Sequence, residues 1–344
     1  FIQFDQDGIC NYCKNYKPKK APNSMKELST IVDKFRKNGS PDVIVPFSGG
    51  RDSTFSLHMI KKELKMNPIA YTYDWGMVTD LARRNIARVC GKLGVENIIV
   101  AADINKKRRN IRLNIEAWLK NPILGMIPLF MAGDKSFHTY LIRLQKQTGI
   151  SLNIWGENHL ENTHFKVGFN GVKPQFDKKK IYKISISRQF KLYKTLTYNV
   201  LKNPSYINSS LYDNFMSFIS RQYYKKTDYY NFYDYYNWEE NEVNNLIISE
   251  YGWESATDTK TTWRVGDGTA AFYNYIYFLV AGFTEHETFL SNQIREGSIS
   301  RDVAISKISE LNRPRYETIK RYLEIIGLNF EDVIKKINNM NRLY

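Results

Sequence analysis

Cysteine is scarce in this chain: Cys10, Cys13 and Cys90 are the only three in 344 residues. They make no even framework, which excludes a disulfide-stapled scaffold and points to a reducing compartment. Long hydrophobic runs are missing too, and no apolar stretch approaches the length that spans a bilayer. Acidic residues are in short supply, with 35 Asp and Glu against 50 Lys and Arg and a net charge of +15. That surplus favours anionic ligands such as nucleotides, nucleotide-sugars or nucleic acid. It also accompanies a general abundance of Lys, Asn and Tyr, a bias of composition that needs no ligand. No signal peptide is visible, the sequence opens on Phe1, and the expected location is cytoplasmic. A hydrophobic content of 42% and a charged content of 25% are ordinary for a globular protein. The length allows about two domains.

The most informative stretch runs from Asp42 to Phe55 and centres on Ser48-Gly49-Gly50-Arg51-Asp52-Ser53. Residues 43–47 read as a buried parallel strand. Ser48, Gly49 and Gly50 break it, and from Asp52 onward Phe55, Leu57, Met59, Ile60 and Leu64 supply a helical apolar face. A strand, a glycine turn and a helix start together make an anion site, because the turn exposes N–H groups and the helix adds partial positive charge. Glycine lets a phosphate reach the backbone, and Ser48 and Ser53 can donate hydroxyl hydrogen bonds. The Gly-Lys-Ser/Thr of a Walker A loop is absent. The alternative is a plain strand-to-helix turn capped by Asp52 or Ser53.

The pattern then alternates. Strands are predicted at 69–73, 97–101, 127–131 and 152–155. Helices are predicted from a Thr79 cap to Gly94, over 107–120, and up to about Gln147. The fold class this implies is α/β, a doubly wound parallel sheet with right-handed crossovers, followed by a mainly helical C-terminal region. Ligands in such sheets bind beyond the carboxyl ends of the strands. Residues after strands therefore become candidates: Asp74 for ribose or adenine, or as an Asx-turn; Gly133-Asp134-Lys135, with Lys135 to neutralise phosphate charge or Asp134 to cap a helix; and Gly156-Glu157-Asn158-His159-Leu160-Glu161. His159 and His164 lack the spaced partners of a zinc set. Lys106 to Arg109 reads as the solvated start of a helix.

Beyond 171 helical periodicity takes over. The Tyr-rich stretch 212–236 reads as amphipathic side chains tiling a helical subdomain or interface, with base stacking as the alternative. Lys260, Arg264 and a glycine-flanked Asp267 precede an apolar helix from about Thr269, which suits phosphate or sugar binding or else a capped helix. Residues 301–344 read as two or three amphipathic helices around Pro314. Cys10-x-x-Cys13 is half of a zinc pattern, and Cys90 sits mid-helix as a buried thiol. The expected division is an N-terminal cysteine segment at 1–22, a nucleotide domain at 23–170 and a helical substrate or partner region at 171–344.

The Ser48–Ser53 run resembles the PP-loop of ATP pyrophosphatases, enzymes that grip the β- and γ-phosphates and transfer AMP to a substrate oxygen. The resemblance narrows along the chain. Phe4-Asp5-x-Asp7-Gly8-Ile9-Cys10-x-Tyr12-Cys13, Ala132-Gly133-Asp134-Lys135, Trp263-Arg264-Val265-Gly266-Asp267-Gly268-Thr269 and the block from Thr284-Glu285-His286 to Arg295-Glu296-Gly297 follow in order. The set is similar to N-acetyl sugar amidotransferases of bacterial surface-polysaccharide and flagellin-glycan synthesis. This resemblance implies ATP and Mg²⁺ as cofactors, with adenylylation of an acetamido oxygen and attack by ammonia to give an acetamidino group. It implies ATP contacts from Ser48, Gly49, Gly50, Arg51, Asp52, Ser53, Asp74 and Gly156. Catalytic charge would come from Asp52, Lys135, Lys260 and Arg264, and sugar contacts from Arg264, Asp267 and His286. The acids of the 156–161 segment depart from the family's Gly-His-Asn…Asp-Asp form, so Mg²⁺ falls to Asp52, Glu157 or Glu161. A structural Zn²⁺ on Cys10 and Cys13 would need a second cysteine pair. Ammonia would come from a separate glutaminase subunit through a barrel-like channel subunit, since no nucleophilic cysteine elbow is visible. Neither a membrane nor nucleic acid is expected as a partner. Rival readings are a tRNA-modifying thiolase or lysidine-type synthetase, and a nucleotide-binding subunit without catalysis.

Overall fold

The computed structural model describes residues 2–16, 24–131, 134–163, 165–174, 186–223 and 227–344. Five strands form one sheet: β1 Val43–Pro46, β2 Pro68–Asp74, β3 Glu96–Ala101, β4 Asn153–Trp155 and β5 Tyr229–Asn231. Their order is β3-β2-β1-β4-β5, and every neighbouring pair is parallel. The register sets Val43 beside Pro68, Ile44 beside Asn153 and Trp155 beside Asn231. Successive strands run outward from β1 to one side and then from β4 to the other. The order therefore reverses between β1 and β4, which opens a crevice at the carboxyl ends of those two strands.

The helices are α1 Asn11–Lys14, α2 Met25–Val32, α3 Arg51–Lys62, α4 Asp80–Leu93, α5 Ile104–Lys120, α6 Phe137–Thr148, α7 Phe165–Gly168, α8 Ile186–Lys202, α9 Ser210–Tyr223, α10 Glu240–Tyr251, α11 Gly268–Ala281, α12 Glu285–Arg295, α13 Arg301–Leu311, α14 Tyr316–Ile325 and α15 Phe330–Asn338. Alternation along β1 and β4 explains the layering. Val43, Val45 and Ile154 face one way and pack with Phe55 and Ile60 of α3, Ile86 and Val89 of α4, and Val243 and Ile247 of α10. Ile44 and Trp155 face the other way and meet Leu141 and Leu144 of α6. The sheet is thus covered on both faces. A second core gathers Ile111, Ile115 and Trp118 of α5 with Phe272 and Ile276 of α11, Ile319 and Leu323 of α14, and Val333 and Ile337 of α15. The expected Thr79 cap is present, accepting from Ala82 N at 3.2 Å, and Gly94 closes α4 in the left-handed region at φ +61°. Three helices occupy 301–338, the larger of the two numbers expected around Pro314.

Two predictions fail. Residues 127–131 belong to a 3-10 helix, Leu124–Met131, with Pro128 inside it, and not to a strand. An apolar run of that length fits a buried strand and a buried helical turn equally well by periodicity, and Asn114 Nδ2 secures the turn by donating to Leu129 O at 2.7 Å. Conversely, the C-terminal part contributes β5, a three-residue strand in the Tyr-rich stretch. Its pairing rests on a buried neighbour: Asn153 N and Nδ2 both donate to Asp228 O. Among the described residues, no helix is long and apolar enough to cross a membrane.

Candidate active site

The loop between β1 and α3 lies at the switch point. Gly49 takes φ +71°, and a Cβ there would stand 2.6 Å from Ile86 Cγ1 and 3.0 Å from Ala82 O. Glycine is required twice over, by the turn and by the approach of α4. Gly50, not Asp52 or Ser53, is the N-cap of α3, and no side chain caps that helix. Ser48 is exposed beside this bare start. Its Oγ lies 3.1 Å from Ser53 Oγ and accepts from Gly50 N at 3.3 Å. Gly156 follows β4, and a Cβ on it would lie 2.3 Å from Ser56 Oγ and 3.1 Å from Asp52 O. The sheet and α3 therefore meet without room for a side chain.

Behind the loop stands a buried charge network. Arg51 is 3% exposed and turned into the protein. Its Nε donates to Asp52 Oδ1 at 2.8 Å, and its NH1 donates to Glu240 Oε1 and Thr262 Oγ1, each at 3.3 Å. The guanidinium also lies over Trp238, 4.8 Å from the ring centroid. Trp238 Nε1 donates to Asp52 Oδ1 at 2.9 Å, Tyr233 OH to Asp52 O at 3.0 Å and Trp253 Nε1 to Gly49 O at 2.9 Å. Burial by itself would raise the Asp52 carboxyl, and the Arg51 guanidinium overrides it and holds the group below the usual range. Glu161 hydrogen-bonds Asp52, and burial followed by the Asp52 charge pushes it up to about 8. With its carboxyl raised and that of Asp52 lowered, Glu161 is the member of the pair that keeps a proton longer.

Arg264 adjoins this pair electrostatically and links it to a second cluster. Its NH1 donates to Tyr273 OH at 2.8 Å and lies 3.5 Å from Glu285 Oε2. Lys166 Nζ reaches Glu285 Oε1 at 2.5 Å, and Tyr273 OH donates to Glu285 Oε2 at 2.6 Å. Glu285 is fully buried; burial would raise it, and the charges of Arg264 and Lys166 win and hold it at about 2. Arg264 itself has φ +49°, a left-handed conformation that non-glycine residues adopt only under constraint. His286 is buried and lowered to about 4, first by burial, and lies across Trp263 at 5.1 Å. Arg264 and His286 line one narrow cleft with Asn274, Asn312 and Arg315. No protein-family model matches the chain, and no curated protein matches it.

The remaining candidates divide. Asp267 sits beside Arg264 and is the N-cap of α11, accepting from Thr269 N at 2.9 Å. Burial raises its carboxyl. Asp74 forms an Asx-turn with Gly76 N at 2.9 Å and pairs with Arg83 at 2.5 Å. Glu157 is exposed and tied to β5 through Asn231 and Tyr229, so of the two segment acids only Glu161 joins Asp52. Lys260 is exposed in the loop that carries Thr262. Asp134 begins a short 3-10 helix at Asp134–Ser136, whereas Gly133, the Lys135 side chain and His164 lie outside the described residues. His159 Nε2 lies 2.6 Å from Asp234 Oδ1. Cys10 caps α1 and its Sγ accepts from Cys13 N at 3.4 Å. Cys90 is buried in α4, and burial pushes its thiol up to about 11. The basic run 106–109 is not uniformly solvated: Lys107 is buried, its Nζ 3.1 Å from Asp213 Oδ2.

Sequence reading missed Trp238, Tyr233, Glu240, Lys166 and Tyr273. The first three stand 181 or more residues from the Asp52 and Arg51 groups they hold. No local spacing signals such a contact.

Proposed function

We propose that this chain is an ATP-dependent amidotransferase. It moves AMP from ATP to the acetamido oxygen of an N-acetyl sugar, in nucleotide-linked form, and ammonia then replaces that oxygen. The products are an acetamidino sugar, AMP and pyrophosphate, and the setting is the cytoplasmic synthesis of surface glycans. One observation carries the reading: the uncapped start of α3 opens at the sheet's switch point between Ser48, Ser53 and Gly156. First-turn N–H groups with hydroxyls beside them suit the β- and γ-phosphates.

The bonds balance. The amide oxygen attacks the α-phosphorus, the bond to pyrophosphate breaks, and the amide nitrogen gives up its proton to form an O-adenylyl imidate. Ammonia adds to the imidate carbon, the C–O bond breaks, and AMP leaves. An amide oxygen departs poorly until it is a phosphoester, which is the reason ATP is needed. This chain's residues hold the triphosphate, exclude water and keep cationic charge nearby. Arg51 positions the loop from behind. Arg264, bound to Glu285 and adjacent to Glu161, is the cation that faces both nucleotide and sugar.

Magnesium fits the acid pair. Two neighbouring carboxyls, one of which keeps a proton longer, can exchange it for a divalent cation, and Mg²⁺ takes one or two carboxylates together with phosphate oxygens. Glu161 and Asp52 would hold it, even though no group of three or more such side chains is gathered among the described residues. When bound it offsets triphosphate charge and eases pyrophosphate departure. Cys10 and Cys13 supply two thiols where a structural zinc takes four ligands, so zinc does not fit the described residues alone. Ammonia is assigned to a separate glutaminase subunit with its channel subunit, as the family resemblance implies; Cys90, buried and with its thiol raised, is not suited to be a nucleophile.

The test is pyrophosphate release from ATP with ammonium and a panel of N-acetylated nucleotide-sugars. Ser48→Ala, at an exposed site, is expected to lower kcat/KM for ATP about tenfold with an unchanged melting temperature. Undiminished turnover in both Ser48→Ala and Ser53→Ala would remove the phosphate role of this loop.

A further inference from the structure

Large apolar side chains are not evenly exposed on this protein. Nine of the twenty that stand exposed among the described residues fall between 190 and 216. Helix α8 begins this patch and is amphipathic in an unusual way. Leu196 and Val200 pack inward against the second core. The outward stripe repeats at helical spacing and includes Phe190, Tyr198 and Leu201, exposed by 73%, 54% and 68%. Lys191, Lys194 and Lys202 are exposed on the same helix, which contains no acid. Lys202 lies over the Tyr198 ring at 4.8 Å, its charge held among the apolar groups. Ile207, Leu211 and Phe215, exposed by 62%, 39% and 59%, follow further along the chain, before and within α9.

We propose that this face docks the protein on an anionic phospholipid surface, with α8 lying in the plane of the interface. The proposal is independent of the reaction assigned above. Aromatic and aliphatic tips among the lysines of α8, a helix without an acid, match what an in-plane helix presents to acyl chains and acidic headgroups together. A nucleic acid would use the lysines and aromatics and gain nothing from Leu201, Ile207 or Leu211. A twofold contact with a second copy would bring the lysine rows against each other. Nor does the absence of a spanning helix bear on a helix that lies flat.

The test is co-sedimentation of the full chain with vesicles of phosphatidylcholine alone and with about a third phosphatidylglycerol. Binding is expected to the anionic vesicles only, to fall with added salt, and to drop about tenfold or more in Phe190→Ser/Leu201→Ser and in Lys191→Glu/Lys194→Glu. Circular dichroism and pyrophosphate release without vesicles should be unchanged in both, since neither pair touches the nucleotide loop. Failure to sediment with anionic vesicles would overturn the proposal. So would binding that both variants retain, a wild-type dimer in light scattering that the variants turn to monomer, or a tighter association with RNA than with vesicles that the same variants abolish.

Discussion

Glu161, half-buried beside the buried Asp52 carboxyl, is the member of the pair that keeps a proton longer, and this has a consequence for stability. Glu161 ionises near 4.5 when unfolded and near 8 in the fold, raised by burial and then by Asp52. The native state therefore binds the extra proton. Its contribution is whole below about pH 4.5 and is lost as pH rises through about 8. Glu161→Gln keeps the donor without the ionisation, so its denaturation midpoint should fall less than that of the wild type between about pH 6 and about pH 8.5. Parallel curves would contradict the retained proton. His286 acts with the opposite sign: burial lowers it to about 4, so its contribution is present above about pH 6.5 and lost as pH falls toward 4. Gly156→Ala drives a methyl against Ser56 and the Asp52 backbone, and about 1–3 kcal/mol of stability should disappear in a urea titration. Gly50→Ala, whose nearest obstacle is Ser48 Oγ at 3.2 Å, should cost less. At this scale the sequence was informative wherever a residue's task follows from its neighbours in the chain. Ser48, Gly49 and Gly156 show their placement through strand, turn and helix signals. The inward turn of Arg51 did not show, because Glu240, Thr262 and Trp238 that receive it are distant in sequence.

Among the elements, α3 and the segment 233–264 act as one unit. Arg51 bridges Asp52, Glu240 and Thr262 across 211 residues of sequence, and Trp253 closes on Gly49. Removing one partner of a buried pair leaves charge unmatched. Arg51→Ala should therefore cost about 3–5 kcal/mol, while Lys260→Ala, at an exposed position, should stay within about 0.5 kcal/mol in the same denaturant assay. Equal effects would contradict the clamp. Long periodic helices and the buried strands β1 and β2 were legible because their apolar repeats run for many residues or end on clear turn signals. The 3-10 turn at 124–131 and the three-residue β5 were not, since so short an element carries no period and owes its state to Asn114 and Asn153 beside it.

Over the whole molecule, both large cores combine residues from the first 170 positions with residues beyond 205. The C-terminal half therefore builds the back wall of the loop between β1 and α3 as well as the cluster around Arg264. That arrangement puts Arg264, which lines the cleft with His286 and Arg315, in electrostatic reach of Glu161 beside Asp52. The doubly wound class was legible from alternation alone; the joining of the halves was not, because it depends on packing at long range. The most direct measurement is phosphorus NMR of ATP incubated with the protein, magnesium, ammonium and N-acetylated nucleotide-sugars. AMP and pyrophosphate are expected in equal amounts, dependent on both the sugar and ammonium. ADP and orthophosphate as the products would contradict the proposed transfer.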